Sequence, residues 1–315
     1  MTLQQPGSTA SAEGAPIAPV DGLRATTSVW LRLLRPRQWL KNGFVLAPLL
    51  FSGRATDTGA VVAVLAAFAL FCALASGVYI LNDVADREVD RVHPVKRQRP
   101  VAAGIISPTA AAATGAVLIV AGLLLAFMFD RGVGLVVSAY VLLNVAYTLY
   151  FKRVVILDVF AIAAFFVLRL LAGTSAIDVV PSVWLLLCGG LLSLFLGFAK
   201  RRHELRLLGD LSGNHRAVLG EYSVAFLDQV SSVLLAVTVV SYIMYTLTSD
   251  TAVALGSEAL AYSSAFVLYG VFRYLYLVHT ERGGDPAETL LGDRTLLATV
   301  VCWALYCGVI LYRLT

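Results

Sequence analysis

Nine apolar runs divide most of this sequence, and each is close to the length that a helix needs to cross a bilayer, roughly 20 residues. Of the 315 residues, 59% are hydrophobic and only 14% are charged, well below the roughly 25% charged residues of a soluble domain. The runs therefore predict an all-α integral membrane protein and disfavour a soluble helical one. Its nine transmembrane helices are expected at 37–53, 60–82, 109–129, 132–150, 155–173, 182–200, 224–248, 255–278 and 294–313.

The beginning of the chain has a different composition. Residues 1–28 are rich in Pro, Gly, Ala, Ser and Thr and contain no apolar run, which is typical of a disordered tail. Residues 29–315 are predicted to form the transmembrane domain. The run at 37–53 is the weakest of the nine, because Lys41 and Asn42 interrupt it.

The basic residues indicate how the chain is oriented, since Lys and Arg favour the cytoplasmic side of a membrane. With the N-terminus inside, 20 of the 24 basic residues lie at the inner face. The pattern predicts a multi-pass protein of the plasma membrane with its N-terminus in the cytoplasm and its C-terminus outside. Long polar loops follow spans 2 and 6, so we expect the active site to face the cytoplasm.

The second span ends in a cluster of carboxylates. Asp83, Asp86 and Asp90 are spaced i, i+3 and i+7, which places them on one face of a continuing helix, whereas Glu88 points away. Three such groups at a membrane boundary repel one another. A divalent cation removes that repulsion, and Mg²⁺ prefers carboxylate and phosphate oxygens. The alternative is a solvated helix end whose acids are neutralised by neighbouring arginines.

A basic segment follows directly, RVHPVKRQRPVAAG at 91–104. By itself it is a signal for cytoplasmic retention. Beside a magnesium site it also indicates a clamp for phosphate groups, because Arg and Lys pair well with phosphate oxygens.

These motifs resemble those of the UbiA-type membrane prenyltransferases. NDxxDxxxD at 82–90, followed by HPxKRxRP, is similar to their first aspartate-rich motif; RPRQWLKN at 35–42 is similar to their opening, and YxxxxK at 147–152 to their loop after the fourth helix. The resemblance covers residues 30–313. It implies a nine-helix bundle with an active-site cap on the cytoplasmic side.

One departure from the family pattern concerns the substrate. Members that use a prenyl diphosphate donor carry a second aspartate-rich motif after the sixth helix, but residues 199–206 here read AKRRHELR, with Glu204 as the single carboxylate. This is similar to the branch that makes decaprenylphosphoryl-5-phosphoribose, although Arg202 and His203 are not expected there. The resemblance implies Mg²⁺-dependent transfer of 5-phosphoribose from phosphoribosyl diphosphate to a polyprenyl (decaprenyl) phosphate, with release of diphosphate, for cell-wall arabinan precursors.

The resemblance also implies roles for individual residues. Asp83, Asp86 and Asp90 are expected to hold Mg²⁺ and to act in catalysis. Contacts to the substrates are expected from Lys41, Asn42, Asn82, Arg97, Tyr147, Lys152, Lys200, Arg201 and Glu204. The lipid tail is expected to leave the site sideways into the bilayer.

Two other functions stay open. An aromatic prenyltransferase of the same family would use a polyprenyl diphosphate donor and a second aspartate-rich motif. A transporter would be expected to carry polar residues at mid-membrane, where Arg169 is the main example. The expected partners are the two substrates and the lipid bilayer, with no nucleic acid; a homo-oligomer is compatible with the pattern.

Overall fold

The computed structural model of the protein describes residues 22–208, 217–255, 258–280 and 286–313. The α-helices are α1 (Gly22–Leu34), α2 (Ala47–Phe51), α3 (Thr58–Ala85), α4 (Arg87–Val92), α5 (Pro108–Phe129), α6 (Arg131–Leu149), α7 (Leu157–Ala176), α8 (Val183–Leu208), α9 (Val224–Thr248), α10 (Asp250–Leu255), α11 (Ser264–His279), α12 (Pro286–Gly292) and α13 (Arg294–Arg313). Helices of the 3₁₀ type cover Pro36–Val45, Lys96–Gln98, Phe151–Arg153, Ala217–Glu221 and Glu258–Ser263.

The predicted class is confirmed, because within these ranges every regular element is helical. Seven helices there are long and apolar enough to cross a membrane, namely α3, α5, α6, α7, α8, α9 and α13. Residues 1–21 of the predicted tail lie outside the described residues, and residues 22–28 form the first turns of α1.

The other two predicted spans are not single long helices. The span expected at 37–53 consists of a 3₁₀ helix followed by the short α2; Pro48 lacks the N–H that would continue a helix across the junction. The span expected at 255–278 is divided between a 3₁₀ helix and α11. There the hydroxyl of Ser263 donates to the carbonyl oxygen of Leu260, which competes with the backbone ladder.

The segment from Pro36 to Phe51 nevertheless runs from one end of the bundle to the other. Arg35, just before it, pairs with Asp83 at the C-terminal end of α3. Arg54, just after it, donates to the carbonyl oxygen of Ile177 beyond the opposite end of α7. Because a 3₁₀ helix rises about 2.0 Å per residue, ten such residues and one α-helical turn cover most of the thickness of a bilayer core.

Small residues allow the helices to pack closely, as is usual in membrane bundles. A Cβ atom on Gly77 of α3 would lie 2.9 Å from the carbonyl oxygen of Gly115 on α5, and one on Gly173 of α7 would lie 2.2 Å from the carbonyl oxygen of Val45. In the first half of the bundle, α3, α5, α6 and α7 pack around Phe71. In the second half, buried side chains of α8, α9, α11 and α13 pack against one another. The two halves bring the C-terminal ends of α3, α6, α8 and α11 to one end of the protein, hereafter the site end.

Candidate active site

Two buried carboxylates at the site end share one guanidinium group. Asp83 and Asp90 are each 2% exposed. Nη1 of Arg99 donates to Oδ1 of Asp83 over 3.0 Å and to Oδ2 of Asp90 over 2.5 Å. A second arginine, Arg35, pairs with Asp83. Charge-assisted hydrogen bonds of this kind offset the desolvation of a buried acid.

Arg35 reaches Asp83 from an unusual backbone conformation. Its φ of 54° and ψ of 58° lie in the left-handed region, which non-glycine residues seldom occupy. Its guanidinium carbon lies 5.6 Å from the centre of the Tyr79 ring, within the range of a cation–π contact. The ion pair and this contact stabilise the conformation and fix the start of the crossing segment beside the carboxylates.

The continuous helical face expected for the three aspartates is interrupted at the middle one. The helix divides at Asp86, whose φ of −92° and ψ of 8° separate α3 from α4. Asp86 is therefore directed elsewhere, and Nζ of Lys152 lies 3.3 Å from its Oδ1. Glu88 is 72% exposed and pairs with Arg87 and Arg91 outside the cluster, as its spacing predicts.

Within the part of the chain that is described, no three His, Cys, Asp or Glu side chains converge as a metal site. The donor set nevertheless suits Mg²⁺. Asp83 and Asp90 are held close enough for a single cation, the Arg99 guanidinium, to bridge them, and Asp86 lies one turn from each. Carboxylate oxygens are the ligands that Mg²⁺ prefers. Asp83 and Asp90 therefore fit a divalent cation that replaces the guanidinium, whereas Asp86 contacts Lys152.

A second buried network joins α6, α7 and α8. Arg201 is 1% exposed, and its Nε donates to Oδ2 of Asp158 over 2.6 Å. Arg201 also pairs with Glu204, and its Nη2 lies 3.5 Å from the hydroxyl of Tyr147. The hydroxyl of Tyr222 donates to the other Asp158 oxygen over 2.8 Å, and burial raises the pKa of this phenol. The network fixes Arg201 and brings residues 147–158 beside the basic segment of α8.

Two of the predicted substrate contacts lie on the segment that crosses the bundle. Asn42 is buried, and its Oδ1 accepts a hydrogen bond from Nε of Arg169 over 2.8 Å. Arg169 is enclosed by aromatic rings, including that of Tyr140, whose hydroxyl accepts a further hydrogen bond from it. Nζ of Lys41 donates to Oε1 of Gln38 over 2.6 Å. The mid-membrane arginine thus has internal polar partners and does not reach the carboxylate cluster.

The other predicted contacts lie at the site end. Oδ1 of Asn82 accepts a hydrogen bond from the Thr148 hydroxyl over 3.2 Å. Arg97 is exposed in the 3₁₀ helix after α4, and Lys200 is partly buried on α8 next to Arg201. Asp83 and Lys200 therefore lie at the same end of the bundle, as the sequence predicts.

Arg202 is turned away from this network. It pairs with Asp228 of α9 and donates to the carbonyl oxygen of Val278 over 3.1 Å. Nε2 of His279 lies 3.5 Å from the same carboxylate. Arg202 therefore connects α8, α9 and α11, which explains a basic residue that no motif predicted.

Comparison with known proteins identifies the family. Residues 43–300 match the UbiA prenyltransferase family. The chain belongs to this family. The decaprenyl-phosphate phosphoribosyltransferase of Mycolicibacterium smegmatis is 32% identical over 294 residues, which cover 90% of this chain and 92% of that protein. The enzyme of the same name from Corynebacterium glutamicum is 31% identical over 277 residues, which cover 87% of this chain and 83% of that protein.

A solved structure supports the UbiA fold. A UbiA homolog from Archaeoglobus fulgidus, bound to GPP and Mg²⁺, superposes with a TM-score of 0.68, covering 90% of this chain and 99% of that one. The sequences are 18% identical, so this likeness concerns the fold, and the ligands are those of the archaeal protein.

Sequence reasoning missed three residues of this UbiA-type site. Arg35 stands in the opening motif and Arg99 in the basic segment, so a charge-pairing argument for the buried aspartates would have found both. Asp158 follows an apolar stretch with no acidic neighbour, and its role depends on Arg201. That pairing is a tertiary contact, which the local pattern does not signal.

Proposed function

We propose that the protein transfers 5-phosphoribose from phosphoribosyl diphosphate to a polyprenyl phosphate and releases diphosphate. The observation that carries the proposal is the meeting of buried carboxylates and basic side chains at one end of a membrane bundle. The names of the two bacterial relatives support it, since both are decaprenyl-phosphate phosphoribosyltransferases.

The charges at the site end suit this pair of substrates. The donor carries a diphosphate and a separate phosphate, and the acceptor carries another phosphate. Such substrates need one carboxylate cluster for a metal and several cations for the remaining phosphates. Arg35 and Arg99 supply cations at Asp83, and Lys152 supplies one at Asp86. The acid of the 199–206 segment, Glu204, is paired with a neighbouring arginine.

Asp83, Asp86 and Asp90 would hold Mg²⁺ in this proposal. When bound, the ion neutralises diphosphate oxygens and stabilises them as a leaving group. Arg99 and Arg35, no longer needed as counterions, are then available to contact phosphate oxygens. The proposed contacts from Lys41, Asn42, Asn82, Arg97, Tyr147, Lys200, Arg201 and Glu204 complete the binding of the donor and the acceptor.

The reaction needs positioning more than proton transfer. A phosphate oxygen of the acceptor attacks the anomeric carbon of ribose while the bond from that carbon to the diphosphate breaks, which inverts the centre. This nucleophile is already an anion at neutral pH, so the site requires no general base. Basic side chains that fix both phosphates lower the barrier by orientation and by charge stabilisation.

We further propose how the chain lies in the membrane. Nine crossings, with the N-terminus inside, place the site end at the cytoplasmic face of the plasma membrane, where soluble phosphoribosyl diphosphate is available. The two divided segments, Pro36–Phe51 and Glu258–His279, supply the crossings beyond the seven long helices. The basic loops at the site end support this orientation. The product would feed arabinan precursors of the cell wall, and homo-oligomers are compatible with the exposed apolar faces.

The test is a transfer assay with purified protein. Incubation with radiolabelled phosphoribosyl diphosphate, decaprenyl phosphate and Mg²⁺ should give a labelled lipid. Asp83→Asn should abolish it, whereas Glu88→Gln, which removes an exposed acid within five residues of each aspartate of the cluster, should retain it. Transfer only when a prenyl diphosphate and an aromatic acid are supplied would instead establish the aromatic prenyltransferase.

A further inference from the structure

The start of α7 contains a strained backbone turn. Leu157 donates its N–H to the carbonyl oxygen of Val155 over 2.8 Å, and Ile156 between them has a φ of 68° and a ψ of −47°. These values describe a γ-turn of the rare, strained class. A β-branched residue at positive φ is a genuine outlier. Such conformations persist only where the surrounding structure holds them, and they cluster at functional sites.

The side chain that holds this turn is Tyr222, which lies between the 3₁₀ helix Ala217–Glu221 and α9. Its hydroxyl accepts a hydrogen bond from the N–H of Ile156 over 2.6 Å and donates to Oδ1 of Asp158 over 2.8 Å. Tyr222 is 5% exposed, and its ring stacks on that of Phe226. Since an isoleucine side chain offers no polar atom with which to cap α7, the tyrosine hydroxyl fixes the backbone there from outside the helix.

The turn also connects the two halves of the candidate site. Just before it, Lys152 contacts Asp86 of the carboxylate cluster. Just after it, Asp158 accepts a hydrogen bond from Nε of Arg201 over 2.6 Å. Residues 150–156 alone join α6 to α7. Because this connection is short, opening of the turn would shift both the lysine and the aspartate that holds the buried arginine.

We propose that Tyr222 is a positioning residue for the binding of phosphoribosyl diphosphate. By holding the turn at Ile156, it places Lys152 and Arg201 beside the donor. The inference rests on the proposed function, in which the cluster beside Lys152 holds the metal-bound diphosphate, and adds to it a residue whose hydroxyl is occupied within the protein. Loss of this hydroxyl leaves the N–H of Ile156 and one oxygen of Asp158 without their partner, so that the strain opens the turn.

The first experiment measures equilibrium binding of radiolabelled phosphoribosyl diphosphate to purified protein with Mg²⁺ and without the lipid acceptor. Tyr222→Phe keeps the ring and removes only the hydroxyl, and it should weaken binding about tenfold, the effect of losing a hydrogen bond to a charged group. In the transfer assay, the KM for this donor should rise by the same factor and the KM for decaprenyl phosphate should stay unchanged.

Tyr242→Phe is the matched control, because it removes a buried hydroxyl that bonds Ser263 and Trp303 near the opposite end of α9. It should lower the unfolding temperature without changing donor binding. Equal losses of donor binding in the two variants would show a general effect of destabilisation and would overturn the inference.

Release of the strain should rescue donor binding. Glycine adopts positive φ without a penalty, so in an Ile156→Gly background the turn no longer needs the hydroxyl. There Tyr222→Phe should weaken donor binding less than about threefold, and an equal loss in both backgrounds would overturn the inference. Should Tyr222→Phe fail to fold, Ile156→Pro removes the N–H and excludes positive φ with the tyrosine intact. Unchanged donor binding in that variant would likewise overturn it.

Hydrogen–deuterium exchange tests the turn without either substrate. The peptide that contains residues 150–158 should exchange faster in Tyr222→Phe than in the wild type, and at the wild-type rate in Tyr242→Phe. Unchanged exchange, or faster exchange with unchanged donor binding, would overturn the inference and leave the proposed function intact. A wild-type protein with the expected exchange that binds no phosphoribosyl diphosphate would instead refute the proposed function, and the positioning role with it.

Discussion

Replacing Arg99 by Gln tests whether this arginine stands in for a metal ion. In the structure its Nη1 bonds both Asp83 and Asp90. Mg²⁺ can bind these carboxylates only if at least one of the two bonds breaks. A hydrogen bond to a charged group contributes about 1.5–3 kcal/mol net. Removing the competing guanidinium should therefore tighten metal binding about 10- to 100-fold, since about 1.4 kcal/mol corresponds to a factor of ten.

Mn²⁺ is a convenient probe, because its electron paramagnetic resonance signal reports free ion directly in a titration of purified protein. Arg97→Gln is the matched control: it removes the same charge from the same loop, at an exposed side chain. We expect its Mn²⁺ affinity to change by less than about threefold, as for an exposed charge screened by solvent. Arg99→Lys keeps the charge but lacks the planar guanidinium, so its Mn²⁺ affinity should lie between those of Arg97→Gln and Arg99→Gln.

Thermal stability gives a second measurement, because Arg99→Gln is expected to lower the unfolding temperature of the metal-free protein while it raises the affinity for metal. Without metal, Arg99→Gln leaves Asp90 buried and deprived of its arginine, so the variant should unfold at a lower temperature than the wild type. Saturating Mn²⁺ should raise its unfolding temperature more than that of the wild type, because ligand binding stabilises the folded state as affinity increases. Weaker Mn²⁺ binding by Arg99→Gln would refute the reasoning and would make Arg99 a support of the metal site.

Three further outcomes are expected. Asp158→Asn removes one partner of a buried ion pair with Arg201 and should cost about 3 kcal/mol of stability, measured as a lower midpoint in detergent-induced unfolding; an unchanged midpoint would contradict it. Gly173→Val should lower the same midpoint through its clash with a backbone carbonyl oxygen, whereas Gly190→Ala, whose nearest neighbour would lie 3.7 Å away, should not. A hydrogen bond from Arg273 of α11 is the chief cause of the lowered pKa of Asp293. The stabilisation from this contact is therefore present at neutral pH and is lost as the pH falls below about 4. Asp293→Asn should reduce the loss of stability at acid pH, measured as the unfolding temperature at a series of pH values.

Hydropathy predicted most of the architecture, because a long apolar run in a membrane has few structural alternatives to a helix. It was less successful where backbone geometry depends on particular residues. The segment beginning at Pro36 crosses the bundle largely as a 3₁₀ helix, and the break before Ser264 depends on a side-chain hydrogen bond. Neither feature changes the average hydrophobicity from which the spans were predicted.

The candidate site was predictable in composition but less so in its pairings. Spacing identified Asp83 and Asp90 as members of one cluster, and the structure brings them to the same arginine. Spacing also predicted that Asp86 shares their face, but in the structure Asp86 contacts Lys152 and not Arg99. Which basic residue meets which acid depends on tertiary contacts between segments distant in sequence, as for Arg35 with Asp83.

The two halves of the site differ in how their charges are balanced. Arg35 and Arg99, which pair with Asp83, are both partly exposed, so another cation can replace either of them. Arg201, by contrast, is almost fully enclosed and is neutralised by Asp158 and Glu204 together. A metal at this second position would have to displace an ion pair in which both partners are buried, at a larger cost than at the first position, where the arginines are partly exposed. We therefore expect Asp158→Asn to leave Mn²⁺ affinity unchanged despite its effect on stability, and a change comparable to that of Arg99→Gln would show that the second half also takes part in metal binding.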